Sequence, residues 1–233
     1  MDSNRKTAII VGVLFIIGTA AGIISVGFTG SILDDPDYLI EVSANENQVK
    51  IGALLEFTMA AATAGIAISL YPILKKHNEG MALGSVGFRI IEGALFSVGV
   101  ISLLLLVPLS QEFVQAGAPD ASSFQTLGEL LVGGSTFSLV IGGLAFSLGA
   151  LMYYYLLYQS KLIPRWLSGF GLIAVTLGLA QYLITFFSAS AFASSEIEIL
   201  HIPIFLQEMV FAVWLIVKGF NPSAIASPSA KQI

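Results

Sequence analysis

Cysteine is absent from the 233 residues. That excludes a disulfide framework, a thiolate zinc site, an iron–sulfur cluster and a cysteine nucleophile. Charge is nearly as scarce: 11% of the residues are Asp, Glu, Lys or Arg, against about 25% in a soluble domain. Ten basic and fifteen acidic side chains cannot cover the water-facing surface of a 24.6 kDa protein. Intrinsic disorder needs the opposite bias, high charge with low hydrophobicity. The net charge is −5 with no basic cluster, so nucleic acid is not expected as a partner. No GxSxG elbow, HExxH, Walker or dinucleotide fingerprint occurs. No catalytic residue and no cofactor is therefore assigned, and an enzyme is the less favoured class.

What is abundant is apolar side chain, 56% of the chain. A spanning helix needs about 20 largely apolar residues. Such windows fall at 7–29, 51–72, 83–108, 130–158, 166–188 and 202–218. The expected fold is an all-α, six-span bundle in one domain over 1–220, with a flexible cytoplasmic tail over 221–233. The first window resembles a signal peptide, with Arg5 and Lys6 before an apolar run. It is longer than the roughly 7–15 residues of a signal h-region and reads as an uncleaved span. The fourth is long for one crossing, so it tilts, kinks near Gly133-Gly134 or Gly142-Gly143, or projects into water.

Six spans place both termini on one side. With that side cytoplasmic, the inner segments hold Arg5, Lys6, Lys75, Lys76, Lys161, Arg165, Lys218 and Lys231, and the outer loops hold only Lys50. Basic residues concentrate on the cytoplasmic side, so the orientation is N-in and C-in. Tyr153, Tyr154, Tyr155, Tyr158 and Trp166 fall at the inner interface, where amphipathic rings sit. In the outer loop, Asp35-Pro36 reads as an N-cap and first helical position. Ser43 to Glu46 has the capping-box spacing. Gly117, Pro119 and Asp120 read as turn residues. Gly18 and Gly22 have the spacing for close helix approach, within the bundle.

Ionisable residues inside the spans are functional candidates by default. Arg89 and Glu92 lie three residues apart and share a helix face. Their bland reading is an ion pair that fastens the bundle. Glu56 and Glu208 fall roughly 8 Å below the outer surface by helical rise, where they would face each other. If Glu56, Glu92 and Glu208 converge, three carboxylates meet one guanidinium, an arrangement suited to proton coupling or cation binding. The bland reading is separate polar residues acting as interhelical glue. Gln207 and His201 are secondary candidates beside Glu208. The ligand types match no recognised metal spacing, and no metal site is expected. His77 falls in a solvated turn.

Several strings resemble one family. They include Asp35-Pro36-Asp37-Tyr38-Leu39, Ser43 to Gln48, Leu70 to Gly80, Gly87-Phe88-Arg89-Ile90-Ile91-Glu92 and Gly117 to Ala121. Leu162 to Gly169, Glu208-Met209-Val210 and Trp214 to Pro222 belong with them. The family is an uncharacterised bacterial domain of unknown function, number four-three-eight-six, and the likeness runs from about Arg5 to Ser227. It implies a bacterial multi-pass helical protein of the cell membrane and carries no activity, cofactor or catalytic residue. Three function classes follow from the residues. One binds or transports a small solute, cation or proton through a polar site in the outer half of the bundle. One is a non-catalytic membrane subunit, sensor or stability factor. The third is an intramembrane enzyme acting on lipid. The partners expected are the bilayer and a small solute or cation; the oligomeric state is not legible.

Overall fold

The computed structural model describes residues 2–116, 121–188 and 199–226. Helices α1 (Ser3–Leu33), α3 (Glu46–Leu74), α4 (Glu79–Ala116), α5 (Ala121–Ser160) and α6 (Arg165–Phe187) are each long. A 3₁₀ turn (Ile199–His201) leads into α7 (Ile202–Val217). Helix α2 (Tyr38–Ala44) lies in the connection from α1 to α3, and α8 (Pro222–Ala226) follows α7. No strand occurs among the described residues. Among the described residues six helices are long and apolar enough to cross a membrane, and the protein is a multi-pass integral membrane protein. Hydrocarbon offers backbone amides no partner, so spanning segments must bond internally as helices. This is how Val- and Ile-rich stretches such as those of α1 stay helical.

The spanning helices close into a ring. Helix α1 packs on α3, α3 on α4, α4 on α5, α5 on α6, α6 on α7, and α7 returns to α1. Small residues permit the closure. A Cβ on Gly12 would lie 2.7 Å from the Ala212 carbonyl oxygen, so α1 and α7 nearly touch there. Gly18 sits against Ala62 and Gly22 against Met59, as their spacing implied. Gly143 receives the ring of Tyr182 and Gly142 that of Phe96. Two apolar clusters result. One, built on Phe15, Leu70, Tyr154, Leu157, Phe211 and Leu215, fills the end that carries the termini. The other, built on Leu39, Val42, Val49, Val100, Leu103 and Leu106, fills the α2 end.

The termini end is also tied by charge. Arg5 donates to the carbonyl oxygens of Leu215 (2.9 Å), Ile216 and Val217 (3.3 Å). These are last-turn carbonyls at the negative end of the α7 dipole, of which Leu215 O also takes the Gly219 amide at 3.1 Å. Gly219, with φ +73°, then turns the chain out of the helix, a left-handed stop that glycine accepts without steric cost.

The structure corrects several local expectations. Helix α2 starts at Tyr38, because Asp35 Oδ1 takes the Asp37 amide (2.8 Å) and closes a turn first. The capping box does not form: Ser43 belongs to α2, and Asn45 turns back onto Glu41. Helix α4 runs through Pro108 to Ala116, held by α2 packed against it and by buried Leu106, Val107 and Ser110. Helix α5 is one unbroken helix of 40 residues, about 60 Å long. That exceeds the roughly 30 Å hydrocarbon core, so it projects beyond it. The tyrosine belt divides: Tyr155 and Tyr158 point outward, whereas Tyr153 and Tyr154 are fully buried. The tail begins with ordered α8, whose Ala224 is buried. Gly117, Pro119, Asp120 and residues 227–233 lie outside the described residues.

Tyr154 donates its hydroxyl to Gln207 Oε1, and Gln207 Nε2 donates to the Leu167 carbonyl (3.3 Å), which fastens α5, α6 and α7 together. Tyr154→Phe leaves the Gln207 oxygen buried without that donor. It should destabilise by about 1 kcal/mol in reversible unfolding from mixed micelles. Arg5→Met should cost about 1–3 kcal/mol by the same measurement, since it orphans carbonyls held by a charged donor.

Candidate functional site

Between the two apolar clusters the ring encloses a cavity of about 830 Å³. All six spanning helices contribute to its walls, and Glu56, Arg89, Glu92, Glu208 and His201 all line it. The walls are otherwise mostly apolar. Phe15, Ile66 and Phe146 close the end toward the termini, and Leu33, Leu103 and Val132 border the end toward α2.

Arg89 and Glu92 sit side by side on α4, with Nη1 and Oε2 3.0 Å apart and both residues 2% exposed. The guanidinium also lies 4.8 Å above the centre of the Phe146 ring on α5, a cation–π contact that strengthens where water is excluded. Gly149 lets α5 approach here; a Cβ on it would lie 3.2 Å from the Arg89 side chain and from the Ser85 carbonyl. The ion pair is off hydrogen-bond alignment. Among the described residues, Arg89 Nε and Nη1 and Glu92 Oε2 are buried without a hydrogen-bond partner.

Glu208 reaches the same place from α7. It accepts a hydrogen bond from Thr19 Oγ1 on α1 at 3.2 Å and lies within electrostatic reach of both Arg89 and Glu92. Unlike them it keeps accessible surface, which the cavity provides. The register of α1 on α7 sets its depth. Gly12 meets Ala212, Phe15 meets Phe211 with ring centroids 5.3 Å apart, and Thr19 meets Glu208. Thr19 is near the middle of α1, so Glu208 lies at mid-bundle and not roughly 8 Å below the outer surface.

Glu56 stands apart. Its level is fixed by Gly52, which packs on Ser25 and Thr29, and by Met59, which packs on Gly22. Its Oε1 lies where a Cβ on Gly99 would be 3.0 Å away, with Ser135 beyond. Gly99 is seven residues past Glu92 on α4, about 10 Å by helical rise. The expected face-to-face pair of Glu56 and Glu208 therefore does not form, because the two are held at different depths by different neighbours. Glu56 Oε1 is also buried without a hydrogen-bond partner among the described residues.

The secondary candidates divide. Gln207 is fully buried about 100° round α7 from Glu208, bound to Tyr154 and Leu167, and acts as glue. His201 lines the cavity and uses both ring nitrogens: Nδ1 bonds Gln181 Oε1, and Nε2 bonds Tyr182 Oη at 2.7 Å. Gln181 accepts, so Nδ1 carries the proton and Nε2 accepts from Tyr182. His77, expected in solvent, is half-buried, and burial together with Lys76 holds its imidazole below the ordinary histidine range.

Sequence reasoning missed Thr19 and the Gln181–Tyr182 pair. Thr19 interrupts an otherwise uncharged span as one hydroxyl among several, and only the α1–α7 register singles it out. Gln181-Tyr182 is a polar dipeptide inside the fifth span, a signal that was present. Among the described residues no group of three or more His, Asp or Glu is placed to hold a metal ion.

No curated protein and no solved structure matches the chain. The sequence profile described as Domain of unknown function (DUF4386) matches residues 10–219, nearly the whole chain. The protein therefore belongs to that family of multi-pass membrane proteins.

Proposed function

We propose that this protein binds a small solute or cation in the cavity and carries it across the membrane. In this reading Glu92 and Glu208 take the proton or cation while Arg89 balances their charge. One observation carries it: three carboxylates and one guanidinium line a single cavity of about 830 Å³, with four of their polar atoms buried and lacking hydrogen bonds among the described residues. Two of them, Arg89 Nη1 and Glu92 Oε2, answer each other at 3.0 Å. Arg89 Nε and Glu56 Oε1 have no such answer, and each buried unsatisfied polar group costs roughly 1–3 kcal/mol. The orientation proposed with it is N-in and C-in, on the basic-residue bias, in the cell membrane.

Replacing one partner of a buried ion pair costs about 3–5 kcal/mol, whereas replacing both with apolar residues is often neutral. Glu92→Met alone should therefore unfold well below the wild type, and Arg89→Met/Glu92→Met close to it. The double variant should nevertheless lose any rise in unfolding temperature given by sodium, potassium or ethylammonium chloride, and any uptake of those cations into vesicles. A wild type indifferent to all three would sink the proposal.

The chain is free of cysteine, so single cysteines report orientation directly. Asp34→Cys should react with a membrane-impermeant maleimide in intact cells, and Lys76→Cys only after permeabilisation. The reverse pattern would invert the topology.

A further inference from the structure

We propose that the occupant of the cavity is an amphipathic amine that enters sideways from the bilayer between α1 and α7. Its ammonium group is held by Glu208, and its apolar chain lies along the half of the cavity nearer α2. This rests on the reading that the cavity binds a cation or small solute, and it names the class of molecule and the route.

The route follows from where the α1–α7 seam stops. From Gly12 through Phe15 to Thr19 and Glu208 the two helices are in contact. Beyond that point α1 turns its small residues elsewhere. Gly22 packs on Met59 of α3, and a Cβ on Gly27 would meet no atom within 4 Å. Ile23 and Val26 on α1, and Ile202 and Phe205 on α7, line the cavity and are exposed as well. Val26 is 67% exposed and Ile202 50%. Side chains that border an interior space and also face outward form the rim of an opening. Every one of these four is apolar, and Val26 lies inside an uncharged run that ends only at Leu33. The opening therefore faces hydrocarbon, which concentrates amphiphiles and excludes free ions.

The head group follows from the inner surface. Arg89 is the one guanidinium or ammonium group among the lining residues, against Glu56, Glu92 and Glu208, and it is already engaged by Glu92 and Phe146. A carboxylate or phosphate head would meet an excess of like charge. An ammonium would supply donors to Glu208, which keeps accessible surface, while Glu92 stays with Arg89 and adds negative charge beside it. The volume matches that of pockets for ligands of several hundred Å³, roughly 300–1,000 Å³. The apolar walls accept a chain without leaving a polar group stranded.

The test uses the full chain in phosphatidylcholine nanodiscs, with decylammonium, ethylammonium and decanoate as probes and the thermal unfolding midpoint as readout. Decylammonium should stabilise the wild type at aqueous concentrations at least a hundredfold lower than ethylammonium, and decanoate should not stabilise it. Glu208→Gln should lose the response to both amines. Ile23→Trp, at a position 56% exposed, should weaken the response to decylammonium about tenfold or more and the response to ethylammonium much less. Equal responses to the two amines, both indifferent to Ile23→Trp, would overturn the amphiphile and its route while leaving cation binding standing. Decanoate acting as well as decylammonium would overturn the charge selection. No response to either amine or to sodium and potassium would remove both this inference and the function it rests on.

Discussion

A guanidinium 2% exposed inside a ring of apolar helices is the constraint around which this structure is arranged. Arginine does not give up its proton in a protein, so the bundle must answer its charge at every moment. Glu92 does so from the same helix, Glu208 from the far side of the cavity, and the face of Phe146 from α5. The answers from α5 and α7 each require a close backbone approach. Gly149 brings α5 onto Arg89 and Ser85, and Gly93 brings α4 onto the Ala60 carbonyl of α3. Gly12 brings α7 onto α1 so that Glu208 is level with Thr19. The glycines that look like a loss of helix propensity are the means by which charge is reached from three helices.

That arrangement also explains why the core is split. A cluster packed continuously from Leu215 to Leu39 would have to run through Arg89, Glu92 and Glu56. The apolar residues instead form one cluster at the termini end and another at the α2 end, and the charged residues line the space between them. The termini end is closed by packing and by Arg5 on the α7 carbonyls. The α2 end is held by α2 on α4 and by Gln48 on the Phe28 carbonyl at 2.8 Å.

The six spans were legible in the sequence because hydropathy and length decide them: a bilayer permits few alternatives to the helix. Helix ends were less legible. Pro108 and the Ser43–Glu46 spacing mark ends locally, but packing of α2 against α4 overrides the first and the Asn45–Glu41 contact displaces the second. The Arg89–Glu92 pair was legible because helical spacing fixes it. The placement of Glu208 was not, because counting from the end of its own hydrophobic run assumes that every run begins at the same depth. Helix α7 is set by Gly12 and Phe15 against Ala212 and Phe211, a register that no local pattern encodes. Gln207 and His201 show the same limit. Adjacent in sequence to the candidate carboxylate or two turns before it, they face different neighbours, and one is glue while the other borders the cavity.

This difference among polar residues bears most directly on function. The bundle has the means to satisfy buried polar groups and uses them elsewhere. Tyr154, Gln207 and the Leu167 carbonyl form one complete set, and His201, Gln181 and Tyr182 form another. Buried polar groups left incomplete are uncommon in folded proteins and need a reason. Here Glu56, Arg89 and Glu92, the residues that carry most of the incomplete atoms among the described residues, all line the cavity. Local rules are broken most often where function requires it. Tyr153 Oη and His77 Nε2 are also buried without a hydrogen-bond partner among the described residues, so incompleteness alone does not mark a site. What marks this one is that its charged residues gather on one cavity, where Glu208 keeps accessible surface.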